Sequence, residues 1–455
     1  MNYREALDYL GQSRLFGMKP GLERMRRVVE RLGRPQDGLR FIHIAGTNGK
    51  GSTAAFCESI LRASGFRVGL YTSPHLVTVR ERIQINREPI SEADFAHGME
   101  AVRAASEEVE DSEITFFEIT TALALWYFAR EKVDWVVWET GLGGRLDATN
   151  IVTPQVCIIT NIGLEHQQYL GTTLAEIAAE KAGILKRGVP LVSAVKPGEA
   201  FDVISRQADM VGCYPIFVHR DMKLENLGMR GSKQMARIDE LDVALGLVGP
   251  HQIENAACAV EAMWKIRGEL VEAGRASKEL HVLESRHIRS GLENTSWPGR
   301  FEIISEEPLI VLDGAHNPSG MKMLAMTWRE FLGARFGWNA QEVENRTRLV
   351  FGSVADKNIR EMAQLLRPLA HEVLLVRLAN ERSADPKELA PLFAGLPCDC
   401  YESVADAWAK VEAAPESITL VTGSLFLVGE MLARRQGVAE EYRLNERLEK
   451  HSPTR

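Results

Sequence analysis

The chain has 455 residues, with 54 Lys and Arg against 62 Asp and Glu and a formal net charge of −8. Hydrophobic residues make up 45% and charged residues 25%, which excludes a wholly disordered or collagen-like chain. At roughly 100–200 residues per domain the length predicts two to four domains, and the acidic balance argues against non-specific nucleic-acid binding as the main function.

Met1–Leu15 mixes charges into its apolar residues and has no secretory-type apolar stretch. No run approaches the ~20 apolar residues that span a bilayer. Six cysteines, at 57, 157, 213, 258, 398 and 400, are too scattered for a disulfide framework. Cys398 and Cys400 form a C-x-C without two further ligands nearby, so free thiols are expected there and not zinc. A cytoplasmic protein is expected.

Short apolar runs alternate with amphipathic segments, the pattern of an α/β chain with a mainly parallel sheet. Phe41–Ala45 reads as a strand, followed by a Gly-rich turn and a helix from Ser52 to about Ala63, stopped by Ser64-Gly65. Arg67–Tyr71 is a strand, Phe117–Arg130 a buried helix, and Trp135–Glu139 and Val156–Thr160 are strands. Thr172 or Thr173 caps a helix running to about Leu185. Residues 213–248 predict short antiparallel strands before a helix that starts near His251.

The pattern restarts after Trp297-Pro298-Gly299-Arg300. Strands are expected at Leu309–Leu312, Arg348–Phe351, Glu372–Val376 and Ile418–Thr422. Helices are expected at Ser319–Phe331, from Asp356 to Leu369, at Val404–Ala413 and after Thr422. The chain therefore divides into a P-loop-containing domain of mainly parallel sheet, residues 1–293, and a smaller Rossmann-like α/β domain, residues 298–455, with the hinge between Gly291 and Pro298.

The strongest local signal is Gly46-Thr47-Asn48-Gly49-Lys50-Gly51-Ser52-Thr53, which follows a strand and opens a helix. Glycines let backbone N–H groups turn toward phosphate oxygens, and the helix N-terminus adds positive potential. Lys50 suits the outer phosphates, although the spacing departs from the common P-loop pattern.

Glu139 ends an apolar strand and precedes the glycine-rich Thr140–Asp147 loop. In a parallel sheet that edge forms the ligand crevice, and a carboxylate there suits magnesium. His166, and Ser73 with His75, follow other strand ends and gain meaning only in combination with Glu139. Taken alone, Lys181 reads as a solvated helix lysine and His251–Asn255 as a helix start. Asp313-Gly314-Ala315-His316-Asn317-Pro318 and Thr422-Gly423-Ser424 follow strands of the second domain and would face an interdomain cleft.

In order along the chain, these stretches closely resemble the folylpolyglutamate synthase/dihydrofolate synthase family of the Mur ligase superfamily. The resemblance runs from Gly21-Leu22-Glu23-Arg24 to Thr422–Leu425. It is carried by His43–Ser52, Thr72–Leu76, Gly141–Asn150, Glu180–Gly183, Trp297–Arg300 and Asp313–Pro318.

The resemblance implies an ATP- and Mg2+-dependent amide ligase. Such enzymes phosphorylate a carboxylate of a pterin-containing acceptor, and the amine of L-glutamate attacks the acyl phosphate. It implies that Gly49, Lys50, Gly51 and Ser52 hold the ATP phosphates. Asn255, Arg300 and Asp313 would bind the nucleotide. Ser73 and Glu139 would hold one magnesium and His166 a second, and Lys181 would be carbamylated to assist that second metal. His316 and Ser424 match positions for the incoming glutamate. Thr115, Phe117 and Glu118, with Asp147 in the glycine loop, are implied on the acceptor side.

Gln167-Gln168-Tyr169 and Glu165, around His166, depart from the commonest family residues. The partners implied are small molecules acting on a monomer, with no nucleic acid and no membrane. A bifunctional enzyme is favoured over one that only extends folate tails. A ligase of cell-wall nucleotide precursors is disfavoured, because the P-loop starts only about forty residues in and leaves no room for the usual extra N-terminal domain. A P-loop nucleotide switch would hydrolyse ATP without needing glutamate.

Overall fold

The computed structural model describes residues 1–14, 20–107, 109, 113–272, 283–413 and 418–438. Strand β1 (Phe41–Ala45) lies inside an eight-stranded sheet and is buried along its whole length. Such a strand must be apolar on both faces, which explains its nearly unbroken apolar sequence.

The other strands of this sheet are β2 (Val68–Tyr71), β3 (Ile83–Ile85), β4 (Glu88–Pro89), β5 (Trp135–Glu139), β6 (Val156–Ile159), β7 (Leu191–Ser193) and β8 (Pro215–Phe217). Their order is β4-β3-β2-β5-β1-β6-β7-β8. Only β3 runs against the rest; β4, antiparallel to β3, returns to the common direction. Ile44 pairs with Glu139 of β5 on one side and Ile158 of β6 on the other. The C-terminal ends of the three strands are therefore level, and the loops leaving them share one edge.

The helix after β1 spans Lys50–Ala63, starting earlier than expected because Gly49 at φ 86° already supplies the turn. The helix Ser285–Glu293 crosses it, and a Cβ on Gly291 would meet the backbone of Ile60. Gly291 is thus a close-packing residue inside a helix. The irregular connection expected at 291–298 begins only after Glu293.

Strands β9 (Leu224–Arg230), β10 (Lys233–Ile238) and β11 (Leu241–Leu245) form a three-stranded antiparallel sheet, as the sequence predicts. The helix that follows spans His251–Glu272.

The last sheet comprises β12 (Glu302–Glu306), β13 (Leu309–Leu312), β14 (Thr347–Phe351), β15 (Glu372–Val376), β16 (Cys398–Tyr401) and β17 (Ile418–Thr422), ordered β12-β13-β17-β14-β15-β16. It is parallel except for β12.

The helix Pro318–Phe336 runs past the expected Phe331 and stops at Gly337, which adopts φ 73°. Asp356 does not cap the next helix. Asn358 caps Ile359–Leu366, while Asp356 pairs with Arg382 at 3.3 Å. Two separate core clusters flank this sheet.

All six cysteines are free thiols. Among the described residues, no helix is long and apolar enough to cross a membrane.

Candidate active site

A cavity of about 1070 Å³ opens where the edges of the two large sheets meet. Gly49, Lys50, Gly51, Ser52, Ser73, Glu139, His166, Asn255, Arg300, Asp313, His316 and Ser424 all line it. The side chains of Thr115, Phe117, Glu118, Asp147 and Lys181 lie outside that lining.

The helix Lys50–Ala63 has no side-chain cap. Its first N–H groups and its positive end are thus left to an anion. Lys50 folds over the loop, donating to the carbonyls of Gly46 at 3.2 Å and Thr47 at 3.4 Å, and stands 4.0 Å from Glu139. Glycine is required at 49, where a Cβ would strike Asn255 and φ is positive. Gln252, not singled out in the sequence, ties the loop to Asn255: its amide donates to Ser52 Oγ and accepts from Asn255.

Glu139 is buried and accepts a hydrogen bond from the Ser73 backbone N–H at 3.2 Å. Burial pushes its carboxyl up to about 7, against the opposing pull of Lys50, that N–H, Arg300 and Arg82. A buried carboxylate held short of full charge compensation suits an added cation. His166, at φ 51°, follows β6 on the same edge. Burial lowers its imidazole to about 4 despite Glu165, with Lys357, Lys50 and Lys181 acting in the same direction as burial. The ring is therefore neutral at pH 7 and able to donate a lone pair.

Lys181 departs from the solvated lysine its local sequence suggests. It is 5% exposed and donates to the Gly46 carbonyl at 2.7 Å. Burial, reinforced by Lys50, lowers its ammonium to about 7 against Glu165 and Asp147. The geometry that places it is reciprocal. A Cβ at Gly144 would meet the carbonyls of Glu180 and Lys181, and one at Gly183 would meet Arg145. The glycine loop and the helix Leu174–Ala182 thus dock backbone to backbone, with Arg145 N–H donating to the Glu180 carbonyl at 2.8 Å. This docking ends the helix at Ala182, before the expected Leu185.

The residues expected on the acceptor side, Thr115, Phe117, Glu118 and Asp147, lie behind the cavity wall. Asp147 accepts from Leu142 N–H at 2.8 Å and from Thr149 N–H at 3.0 Å, stapling the glycine loop. Thr115 and Glu118 form a capping box on the helix Phe116–Arg130, and Glu118 also pairs with Arg24 at 3.1 Å. Phe117 lies where a Cβ on Gly141 would fall, directly behind a cavity-lining residue. Arg82, unmarked in the sequence because it sits in a charged Arg-Glu-Arg run, is 1% exposed, lines the cavity and donates to His75 Nδ1 at 3.0 Å.

From the second sheet, Asp313 accepts from Phe301 N–H at 2.9 Å and Ala315 N–H at 2.8 Å. Burial raises its carboxyl, opposed first by Arg300. Ser424 caps the helix Leu425–Gln436. The seam between the sheets is closed by Asn317, donating to Asn48 at 3.0 Å, and by contacts of His316 and Lys357 to Glu165 at 3.4 and 3.2 Å. Lys357 was not foreseen; its only sequence signal is an Asp-Lys pair shortly after a strand end.

Residues 44–263 match the Mur ligase middle domain and residues 299–425 the Mur ligase glutamate ligase domain. The chain is 36% identical over 451 residues to the dihydrofolate synthase/folylpolyglutamate synthase of Bacillus subtilis, covering 95% of this chain and 99% of the relative. It is 32% identical over 439 residues to the Escherichia coli protein of the same name, covering 95% and 96%.

The solved folylpolyglutamate synthase of Thermotoga maritima superposes with a TM-score of 0.81 at 34% identity, covering 97% of this chain and 98% of that one. Escherichia coli FolC in complex with DHPP and ADP superposes with a TM-score of 0.81 at 29% identity, covering 96% and 98%. With both Mur ligase domains in order and near-full-length relatives above 30% identity, the chain belongs to the dihydrofolate synthase/folylpolyglutamate synthase family of Mur ligases.

Proposed function

We propose that the chain is an ATP-dependent ligase that joins L-glutamate to dihydropteroate and to the γ-carboxylate of reduced folates through an acyl phosphate. The observation that carries this reading is the single cavity on which Lys50 and Glu139 of one sheet face Arg300, Asp313 and His316 of the other. The near-full-length relatives named for both activities support the bifunctional form.

The residues present fit ATP and Mg2+. The uncapped helix end and Lys50 suit triphosphate oxygens, and Asn255, Arg300 and Asp313 would hold the rest of the nucleotide. Ser73 and Glu139 would hold one magnesium and His166 a second. Among the described residues no three His, Cys, Asp or Glu side chains cluster tightly enough to hold a metal alone. That suits a cation completed by phosphate and water. Bound magnesium supplies charge neutralisation for phosphoryl transfer.

The protein's own residues do the rest. Lys50 stabilises charge growing on the transferred phosphoryl group. The seam through Asn48 and Asn317 keeps water from the acyl phosphate. His316 and Ser424 receive the incoming glutamate, and Thr115, Phe117, Glu118 and Asp147 shape the acceptor wall. Lys181, with an amine substantially neutral near pH 7, is suited to react with CO2 and become the carbamate.

We divide the chain functionally into residues 1–293 and 298–455. We place it in the cytoplasm as a monomer without nucleic-acid partners. Its free thiols and acidic charge support this placement.

The test is Lys50→Ala. Glutamate-dependent ADP release should fall by about 10²–10³-fold or more with an unchanged circular dichroism spectrum. Near-normal turnover in a folded variant would remove Lys50, and with it the phosphate site, from the account.

A further inference from the structure

Glu165 directly precedes His166, yet its carboxylate turns across the seam. Its side chain is 12% exposed, and Oε1 lies 3.4 Å from His316 Nε2, 3.2 Å from Lys357 Nζ and 4.0 Å from His166 Nε2. His316 follows β13 and Lys357 follows β14, so neither is anchored to the other by its own backbone segment. His316 is otherwise fixed through Nδ1 to the Gly314 carbonyl at 2.9 Å.

One carboxylate from the first sheet thus gathers two basic groups from different loops of the second. All three residues line the cavity. Burying a carboxylate is costly unless it is paired and hydrogen-bonded, and Glu165 is both. Loss of its charge would leave the Lys357 ammonium without this counter-charge and take from both side chains the acceptor that gathers them, and they would separate.

We propose that Glu165 is the positioning residue for the amino-acid side of the site, holding His316 and Lys357 where they receive a substrate carboxylate. The proposal rests on the ligase reading above. Glu165 does not touch the reacting atoms. It sets the place of two groups that hold the substrate, and it ties that placement to closure of the seam.

Of the residues expected to hold nucleotide beside the first sheet, Lys50 is held by the carbonyls of Gly46 and Thr47, and Gln252 links Ser52 to Asn255; Glu165 takes part in none of these bonds. The effect of losing Glu165 is therefore specific to one substrate.

The test is steady-state kinetics of the full chain with saturating acceptor, varying L-glutamate and ATP separately. Glu165→Gln should raise KM for L-glutamate at least tenfold while leaving KM for ATP within twofold, with a circular dichroism spectrum that still shows a folded protein. Glu165→Asp, which keeps the charge but shortens the reach, should recover part of the loss. Lys357→Met should reproduce the split, and the double variant should lose less than the product of the two single losses, because the two side chains share one contact.

An unchanged KM for L-glutamate would overturn the proposal. So would a lower one, which would mean that Glu165 competes with the substrate carboxylate. Parallel rises in both KM values would also overturn it, by assigning Glu165 to seam stability alone. If the unaltered chain shows no glutamate-dependent turnover, the ligase reading itself fails, an outcome separable from all of these.

Discussion

Glu139 and Lys181 are individually misplaced by the rules of folding and suited by the same fact to chemistry. The Glu139 carboxyl is raised to about 7 by burial. The folded state therefore holds a proton that the unfolded state has released between about pH 4.5 and 7, and stability from this group is lost as pH rises through 7. Glu139→Gln should abolish turnover yet stabilise the unliganded protein by about 2 kcal/mol at pH 8, with little gain at pH 4.5. Thermal melts at the two pH values check the sign. A variant less stable than the parent at pH 8 would mean that Glu139 is a structural anchor.

Lys181 is the opposite case, its ammonium lowered to about 7. The neutral amine needed for carbamate formation becomes more populated as pH rises through 7. Activity lost on removing CO2 should return on restoring it, faster at pH 8 than at pH 6 when the dissolved CO2 concentration is held equal. Lys181→Ala should lose activity and regain part of it with short carboxylates. Equal recovery rates at both pH values, or no loss on substitution, would take Lys181 out of the site.

At the scale of elements, what holds the site is close backbone approach. Gly291 lets the helix Ser285–Glu293 pack on Ile60 of the P-loop helix. Gly291→Val should therefore cost roughly 1–3 kcal/mol through overpacking. Differential scanning calorimetry reads this directly, and an unchanged melting temperature would contradict the packing.

The same scale explains what the sequence could reveal. Strands β1, β5, β13, β15 and β17 appear where their apolar runs predict them, because a parallel strand buried on both faces leaves an uninterrupted signal. Helix ends were less legible. Leu174–Ala182 stops where the glycine loop docks, a tertiary event with no local mark. Lys181 was legible only by family resemblance, since its burial depends on Gly144 lying across its own carbonyl. Glu165 is marked in the sequence only as a departure beside His166 and Gln252 only as part of a helix start, while Lys357 and Arg82 carry no mark of their role, because each acquires its role from a partner distant in sequence or sits in a charged run.

For the whole molecule, the two large sheets present their C-terminal edges to one cavity, and neither edge alone carries a complete set of groups. The positions proposed for nucleotide and metal lie chiefly on the first, and those proposed for the amino acid chiefly on the second, with Glu165 crossing between them. A nucleotide switch would need no amino-acid side, whereas a ligase needs both sides at once.

The most direct measurement is ADP release with ATP and Mg2+, with and without L-glutamate, in separate reactions containing dihydropteroate or a reduced monoglutamyl folate, with products identified by mass. The account predicts glutamate-dependent ADP release with each acceptor and a product heavier by one glutamyl residue. ADP release that ignores glutamate, with no ligated product from either acceptor, would contradict it.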